Sequence, residues 1–281
     1  MPADHSRNQT RRDALKAGLA TVGALALGTR GHALAAETAD SSAYGPFKMG
    51  IQSYSLRHFK LHEAMKLTKE LGLQFWEAYP GHIPPDPAKA ADEREHAQGH
   101  GVKVIGHGVS SFGADHAANR KLFEFAKAMG IEYLSADPSA ESFDSLDKLT
   151  EEFDVCIGIH NHGPGHRYAT IDDVAKAIKG HSDKIGCCID TGHFLRSKED
   201  PVRAVEVFGK RIYGVHLKDV KDAKTFTVLG QGDLRVDDLL KGLAKLKYKH
   251  CLALEYEEKE ADPMNDLRAC LETVKKAVAA I

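Results

Sequence analysis

Gly186-Cys187-Cys188-Ile189-Asp190-Thr191-Gly192-His193 decides the fold class. The apolar run ending at Asp190 has strand character, and Thr191-Gly192-His193 then turns the chain. A carboxylate ending a buried strand, with an imidazole three residues later, costs desolvation free energy unless a cation sits beside it. The plain alternative is a helix N-cap, Asp190 or Thr191 closing a strand–helix loop. Repetition favours the cation. Three other apolar runs end alike: Cys156-Ile-Gly-Ile-His160-Asn161-His162, Ile212-Tyr-Gly-Val-His216-Leu-Lys218-Asp219 and Cys251-Leu-Ala-Leu-Glu255-Tyr-Glu257. Four strands that each deliver His, Asp or Glu at the C-terminal end suggest one metal site.

Working outward, short apolar runs alternate with helix-period segments from Met49 to the end of the chain. Strands are expected at 49–54, 74–79, 103–109, 132–136, 155–160, 185–190, 212–217 and 251–256. Helices are expected near 61–71, 87–100, 117–129, 143–153, 171–180, 200–208, 237–246 and 264–280. Asp200-Pro201 and Asp262-Pro263 read as helix starts, and Gly72, Gly101 and Gly130 as helix ends. Eight βα units imply a single-domain α/β fold, a closed (β/α)8 TIM barrel. An open doubly wound sheet would need a G-x-G-x-x-G loop after an early strand, and the sequence has none there.

A barrel carries its chemistry at the C-terminal strand ends. Those ends are Tyr54, Glu77, His107, Asp137, His160, Asp190, His216 and Glu255. Neighbouring strands lie about 4.8 Å apart, so His160, Asp190, His216 and Glu255 can converge as two imidazole nitrogens and two carboxylate oxygens. That mixture suits Mn²⁺, Co²⁺, Zn²⁺ or Fe²⁺ better than Ca²⁺. His162 alternates with His160 and is expected behind the ligands or at the rim, as a substrate contact. Glu77 and His107 are expected across the mouth as substrate contacts or as a base. Glu257 is expected further out, in solvent. Read from the residues alone, Lys218 is a salt-bridge partner of Asp219 or Asp222. His82, His100, His116, His166, His181 and His250 are left at the surface, and Trp76, Phe112 and Tyr168 near the loops are open to pocket or packing roles.

The chain has 281 residues, a formal net charge of −2 and 42% hydrophobic residues, ordinary for a globular enzyme. Beyond residue 35, 33 basic face 38 acidic residues, which argues against nucleic acid as a partner. Cys156, Cys187, Cys188, Cys251 and Cys270 show no CxxC spacing, and core filling is expected of them. At the N-terminus, Thr10-Arg11-Arg12-Asp13-Ala14-Leu15-Lys16 resembles a twin-arginine export signal. Apolar Ala17–Gly28 and Ala33-Leu34-Ala35, similar to a signal-peptidase site, follow it. The expected layout is a signal peptide over 1–35, a linker over 36–46 and the barrel over 47–281. The twin-arginine machinery is then the export partner, and the mature chain is a periplasmic protein outside the membrane. Retention as an uncleaved anchor is the alternative, and a homo-oligomer is left open.

Ile189-Asp190-Thr-Gly-His193, Val215-His216-Leu-Lys218-Asp219, Leu229-Gly230-Gln-Gly232 and Leu254-Glu255 together resemble the xylose isomerase-like barrel superfamily, over about residues 47 to 281. That superfamily includes sugar phosphate isomerases/epimerases and type IV apurinic endonucleases. The resemblance to the epimerases implies a divalent ion on Asp190, His216 and Glu255, with His193 and Lys218 at the substrate. On strand 5 those enzymes usually carry a Glu that is both ligand and base, and here His160 stands in its place. A ligand survives the exchange while one of two carboxylate bases is lost. The endonuclease branch needs a further Asp-x-His after Asp219, and Leu229–Arg235 lacks it.

The expected activity is therefore a metal-dependent isomerase/epimerase acting through an enediolate on a sugar or keto-sugar, with Glu255 as base and His193 and Lys218 stabilising charge. A lyase or hydratase acting on 3-keto-sugars would use the same enolate. A non-catalytic sugar-binding barrel is the alternative of another class.

Overall fold

The computed structural model describes residues 41–281. The proposed signal segment and the first residues of the linker lie outside them. Ser41–Tyr44 form a 3₁₀ turn, and Tyr44 is buried, so packing begins inside the segment read as linker.

Eight parallel strands close a barrel: β1 (Lys48–Gln52), β2 (Phe75–Ala78), β3 (Lys103–Phe112), β4 (Tyr133–Pro138), β5 (Cys156–His160), β6 (Ile185–Asp190), β7 (Ile212–Leu217) and, last in sequence, β10 (Cys251–Leu254). Their order around the barrel is β1-β10-β7-β6-β5-β4-β3-β2. The expected helices form the outer layer as α1 (Leu61–Glu70), α2 (Ala90–Gly99), α3 (His116–Met129), α4 (Phe143–Phe153), α5 (Ile171–Ala177), α7 (Pro201–Phe208), α8 (Val236–Lys245) and α9 (Met264–Val278). Asp200 caps α7 by accepting from Val202 N at 3.0 Å, with Pro201 in the first turn. Gly130 closes α3 at φ 73°, the left-handed conformation that glycine adopts without a Cβ penalty. Asp262 does not cap α9, because Pro263 itself occupies the N-cap position.

Two elements at the mouth were not expected. A short helix, α6 (Thr191–Arg196), follows β6 directly, and an antiparallel hairpin, β8 (Asp219–Lys221) with β9 (Thr225–Thr227), follows β7. Both runs are too short for periodicity to reveal.

Below the mouth, Ile105, Tyr133, Tyr213, Cys251 and Ala253 form a distinct buried cluster, while the larger core, with Trp76, Phe123, Phe125 and Phe194, joins strands to helices. Cys187, Cys188, Cys251 and Cys270 are buried and all five cysteines are free. Trp76, Phe112 and Tyr168 are packing residues; the Trp76 indole donates to Thr68 at 2.8 Å. His82 and His250 are buried rather than exposed. His82 reaches Ser53 Oγ and the Phe59 carbonyl, and His250 reaches Glu132 at 3.2 Å. No helix among the described residues is long and apolar enough to cross a membrane.

Candidate metal centre at the barrel mouth

Asp190 unites the two expectations for its segment. Its Oδ1 accepts from His193 N at 2.7 Å and so caps α6, while Oδ2 turns into the barrel. The cap fixes the carboxylate, and the carboxylate presents its second oxygen to the site. There Asp190 Oδ2 lies 3.4 Å from His160 Nε2 and 3.8 Å from His216 Nδ1. His160 Nε2 and His216 Nδ1 are 3.0 Å apart, and Glu255 Oε2 is 3.0 Å from His216 Nδ1. The four expected ligands therefore do converge: one atom from each lies within 4.8 Å of all the others, and all four residues are buried.

Lys218 completes the cluster. Its side chain is 3% exposed, and Nζ sits 3.0 Å from Asp190 Oδ2, 3.1 Å from Glu255 Oε2 and 2.5 Å from Glu257. Its partners are the carboxylates of the mouth, not Asp219 or Asp222. Glu257 is accordingly an ion-paired wall residue, not a solvated one. Asp219 faces away and accepts from four backbone amides, those of Val220, Gly230, Gly232 and Leu234. It thereby folds the loop that carries Leu229-Gly230-Gln231-Gly232.

The electrostatics favour an added cation. Burial alone would raise the Asp190 and Glu255 carboxyls, but Lys218 and the surrounding imidazoles hold Asp190 well below its ordinary value and Glu255 near about 2. Glu77 is also held low against its own burial, chiefly by His216. Three buried carboxylates thus face one ammonium and the His216 ring, whose pKa Cys188, Glu77 and Glu255 raise against its burial. Asp190 Oδ2 and Glu255 Oε2 receive no hydrogen bond despite the nearby ammonium. Carboxylate oxygens that are ion-paired but lack a well-aligned hydrogen bond, converging with two ring nitrogens, fit a borderline divalent ion.

Glu77 is placed differently from its expectation. It is fully buried beneath the cluster, where Oε1 accepts from His216 Nε2 at 2.7 Å and from Gln52 Nε2 at 2.9 Å; Ser135 and Tyr133 also donate to it. It contacts the candidate metal cluster from behind, through His216, instead of facing the cavity. His107 misses the mouth altogether. The β2–β3 register jumps from Trp76↔Val104 to Glu77↔Gly106. The extra residue, Ile105, reverses which residues face inward. His107 therefore packs on Phe125 of α3, its Nε2 donating to the Ile83 carbonyl at 2.9 Å, and burial lowers its pKa to about 4.

A cavity of about 280 Å³ lies over the cluster. His160, His162, His193, His216, Lys218, Glu255 and Glu257 line one side of it; Gln52, Tyr54, Tyr79, Gly108 and Val109 complete the wall. Burial and the neighbouring rings depress His162 to about 3. Burial likewise depresses His193 to about 4. The Arg196 guanidinium donates to His193 Nδ1 at 3.2 Å, which leaves the proton of the neutral ring on Nε2. Phe226, on the unexpected hairpin, covers His193, Arg196 and Lys218. The sequence reading missed Gln52 and Tyr79. Gln52 stands two residues before Tyr54 and ends β1, because Ser53–Leu56 form a 3₁₀ turn.

A parallel eight-stranded barrel with a buried nitrogen–oxygen cluster at its C-terminal mouth defines the class. The chain belongs to the xylose isomerase-like TIM barrel family, whose model matches residues 65–276. A rhizopine catabolism protein, MocC, of Rhizobium meliloti is 29% identical over 155 residues, 48% of this chain and 47% of that protein. The inosose dehydratase of Erwinia tasmaniensis is 27% identical over 201 residues, 63% of this chain and 66% of that enzyme. The chain thus spans about half to two thirds of the length of the curated relatives it matches. In fold it is similar to D-psicose 3-epimerase from Clostridium cellulolyticum H10, with a TM-score of 0.65, 14% identity, and coverage of 83% of this chain and 99% of that one. Enzymes of both epimerase and dehydratase type are thus among its relatives and fold neighbours.

Proposed function

We propose that this protein is a metal-dependent lyase of the dehydratase type, acting on a keto-sugar or keto-cyclitol. The observation that carries the proposal is the distribution of bases around the cavity. Epimerisation needs a proton acceptor on each face of the substrate, and the β5 position that could oppose Glu255 holds His160, a member of the cluster. Carboxylates within the cavity wall are confined, among the described residues, to Glu255 and Glu257. One carboxylate face suffices for elimination, because the group that takes the proton α to a carbonyl can return it to the departing β-oxygen.

His160, Asp190, His216 and Glu255 would hold a divalent ion of the Mn, Co, Zn or Fe class. Bound there, such an ion supplies Lewis-acid polarisation of a carbonyl and its neighbouring hydroxyl. Glu255 takes the α proton. His193, with its proton on Nε2, donates to the oxygen on which charge develops, and Lys218 offsets that charge from the other side. Gln52, Tyr54 and Tyr79 orient the ring against the opposite wall, and Phe226 restricts water.

The deciding experiment incubates the Mn²⁺- or Co²⁺-loaded protein with a panel of keto-sugars and keto-cyclitols in D₂O and follows it by NMR. The expected result is metal-dependent loss of a β-oxygen with a new unsaturated carbonyl product. Epimers with deuterium at the α carbon and no elimination would establish the isomerase/epimerase reading instead. Saturable sugar binding without exchange would establish a non-catalytic barrel. We also infer, from Thr10–Lys16 and the apolar run after it, that the chain is exported folded to the periplasm.

A further inference from the structure

The outer helical layer carries a second gathering of imidazoles, remote from the strand ends that build the barrel centre. His62 lies in the first turn of α1. His96 and His100, four residues apart at the end of α2, share one side of that helix. The His62 and His100 ring centroids are 4.6 Å apart, as are those of His96 and His100. One ring nitrogen from each residue lies within 4.8 Å of the other two. His62 and His96 are exposed and His100 is half-buried.

The His100 ring is already oriented. Its Nδ1 contacts the His96 carbonyl oxygen at 2.9 Å. A carbonyl can only accept, so Nδ1 carries the proton and Nε2 carries the lone pair. A ring N–H held by a backbone carbonyl, with the other nitrogen left free, is the usual arrangement behind a metal-bound histidine.

We propose that His62, His96 and His100 form a second metal site, selective for Zn²⁺, Cu²⁺, Ni²⁺ or Co²⁺. Three imidazoles without a carboxylate suit borderline ions and leave Mg²⁺ and Ca²⁺ without the oxygen ligands they need. Bonds of about 2.0–2.1 Å to a tetrahedral ion put nitrogens about 3.4 Å apart. Two exposed rings reach that spacing by side-chain rotation alone, with water in the fourth position. The ion would clip α1 to α2 and so tie together two successive βα units. None of this depends on the reaction at the barrel mouth.

The test is a calorimetric titration of untagged, metal-stripped protein with Zn²⁺, paired with electron paramagnetic resonance of the Cu²⁺ form. Wild type is compared with His62→Ala and with His96→Ala, changes at exposed positions on two different helices. Removing a residue behind a metal ligand already costs about 10–100-fold in affinity; loss of a ligand should cost at least as much. The expected result is loss of one Zn²⁺ equivalent in each variant, together with the nitrogen-rich Cu²⁺ signal, while the wild-type fold and sugar chemistry persist. Unchanged stoichiometry and spectra in both variants would overturn the site. An effect of His96→Ala without one of His62→Ala would overturn the three-ligand form. If the barrel centre takes up no ion, wild type binds one equivalent instead of two, and the variants bind none.

Discussion

Glu77 Oε1 accepts a hydrogen bond from His216 Nε2 at 2.7 Å, fully shielded from water. The contact fixes which His216 nitrogen is presented to the cluster: Nε2 is committed to Glu77, so Nδ1 faces His160, Asp190 and Glu255. A carboxylate behind a ligand histidine orients the ring and raises its basicity. Glu77→Gln keeps the shape and removes the charge. Expected is a loss of divalent-ion affinity at the barrel mouth of about 10–100-fold, measured by titration, with near-native circular dichroism. Unaltered affinity would reduce Glu77 to a packing group.

Much of this site was legible in the sequence, for a physical reason. Barrel strands present their C-terminal ends to one rim, so His160, Asp190, His216 and Glu255 could be placed from strand ends alone. What failed was parity. One extra residue, Ile105, turned His107 from the mouth toward α3, and nothing in an apolar run marks a bulge. Depth was equally invisible: Glu77 ends a strand as expected, yet Tyr133, Ser135 and Gln52 supply the partners that let it lie beneath the mouth. Such partners come from strands distant in sequence, and so does the Lys218 contact with Glu255 and Glu257. The α6 helix and the β8–β9 hairpin were too short to carry a periodic signal.

Asp219 is the next test, because the loop after β9 hangs from it. Its Oδ1 accepts from Val220 and Leu234, and its Oδ2 from Gly230 and Gly232, at 2.8 to 3.0 Å. Asp219→Ala leaves those amides without an acceptor. The expected cost is about 3–5 kcal/mol in unfolding free energy, read by chemical denaturation. Gly232→Ala should act through the same contact, since a Cβ there would lie 2.4 Å from Asp219 Oδ1. Denaturation curves that overlay wild type would exclude the anchoring role.

Acid stability should depend on the ion pairs of Glu132. Burial would raise this carboxyl, but His250 and Lys48 bring it down to about 2. Its folded value lies below its unfolded value of about 4.3. Its stabilisation is therefore complete above the unfolded value and is lost as pH falls toward about 2. Glu132→Gln is expected to lower the melting temperature at pH 7, and the gap from wild type should narrow as the pH approaches 3. A gap that stays constant with pH would assign the loss to packing instead of charge.

Export is testable apart from chemistry. Twin-arginine recognition depends on the paired guanidinium groups, whose planar fork a lysine ammonium cannot reproduce. Arg11→Lys with Arg12→Lys should leave the protein in the cytoplasm, at full length, when cells are fractionated. The unaltered chain should appear in the periplasm, shortened by about the 35 residues that precede the Ala33-Leu34-Ala35 boundary. Because both arginines precede the barrel segment in sequence, the variant purified from cytoplasm should retain the wild-type affinity for Mn²⁺ or Co²⁺. Periplasmic recovery of the double variant would remove the twin-arginine assignment while leaving the barrel chemistry untouched.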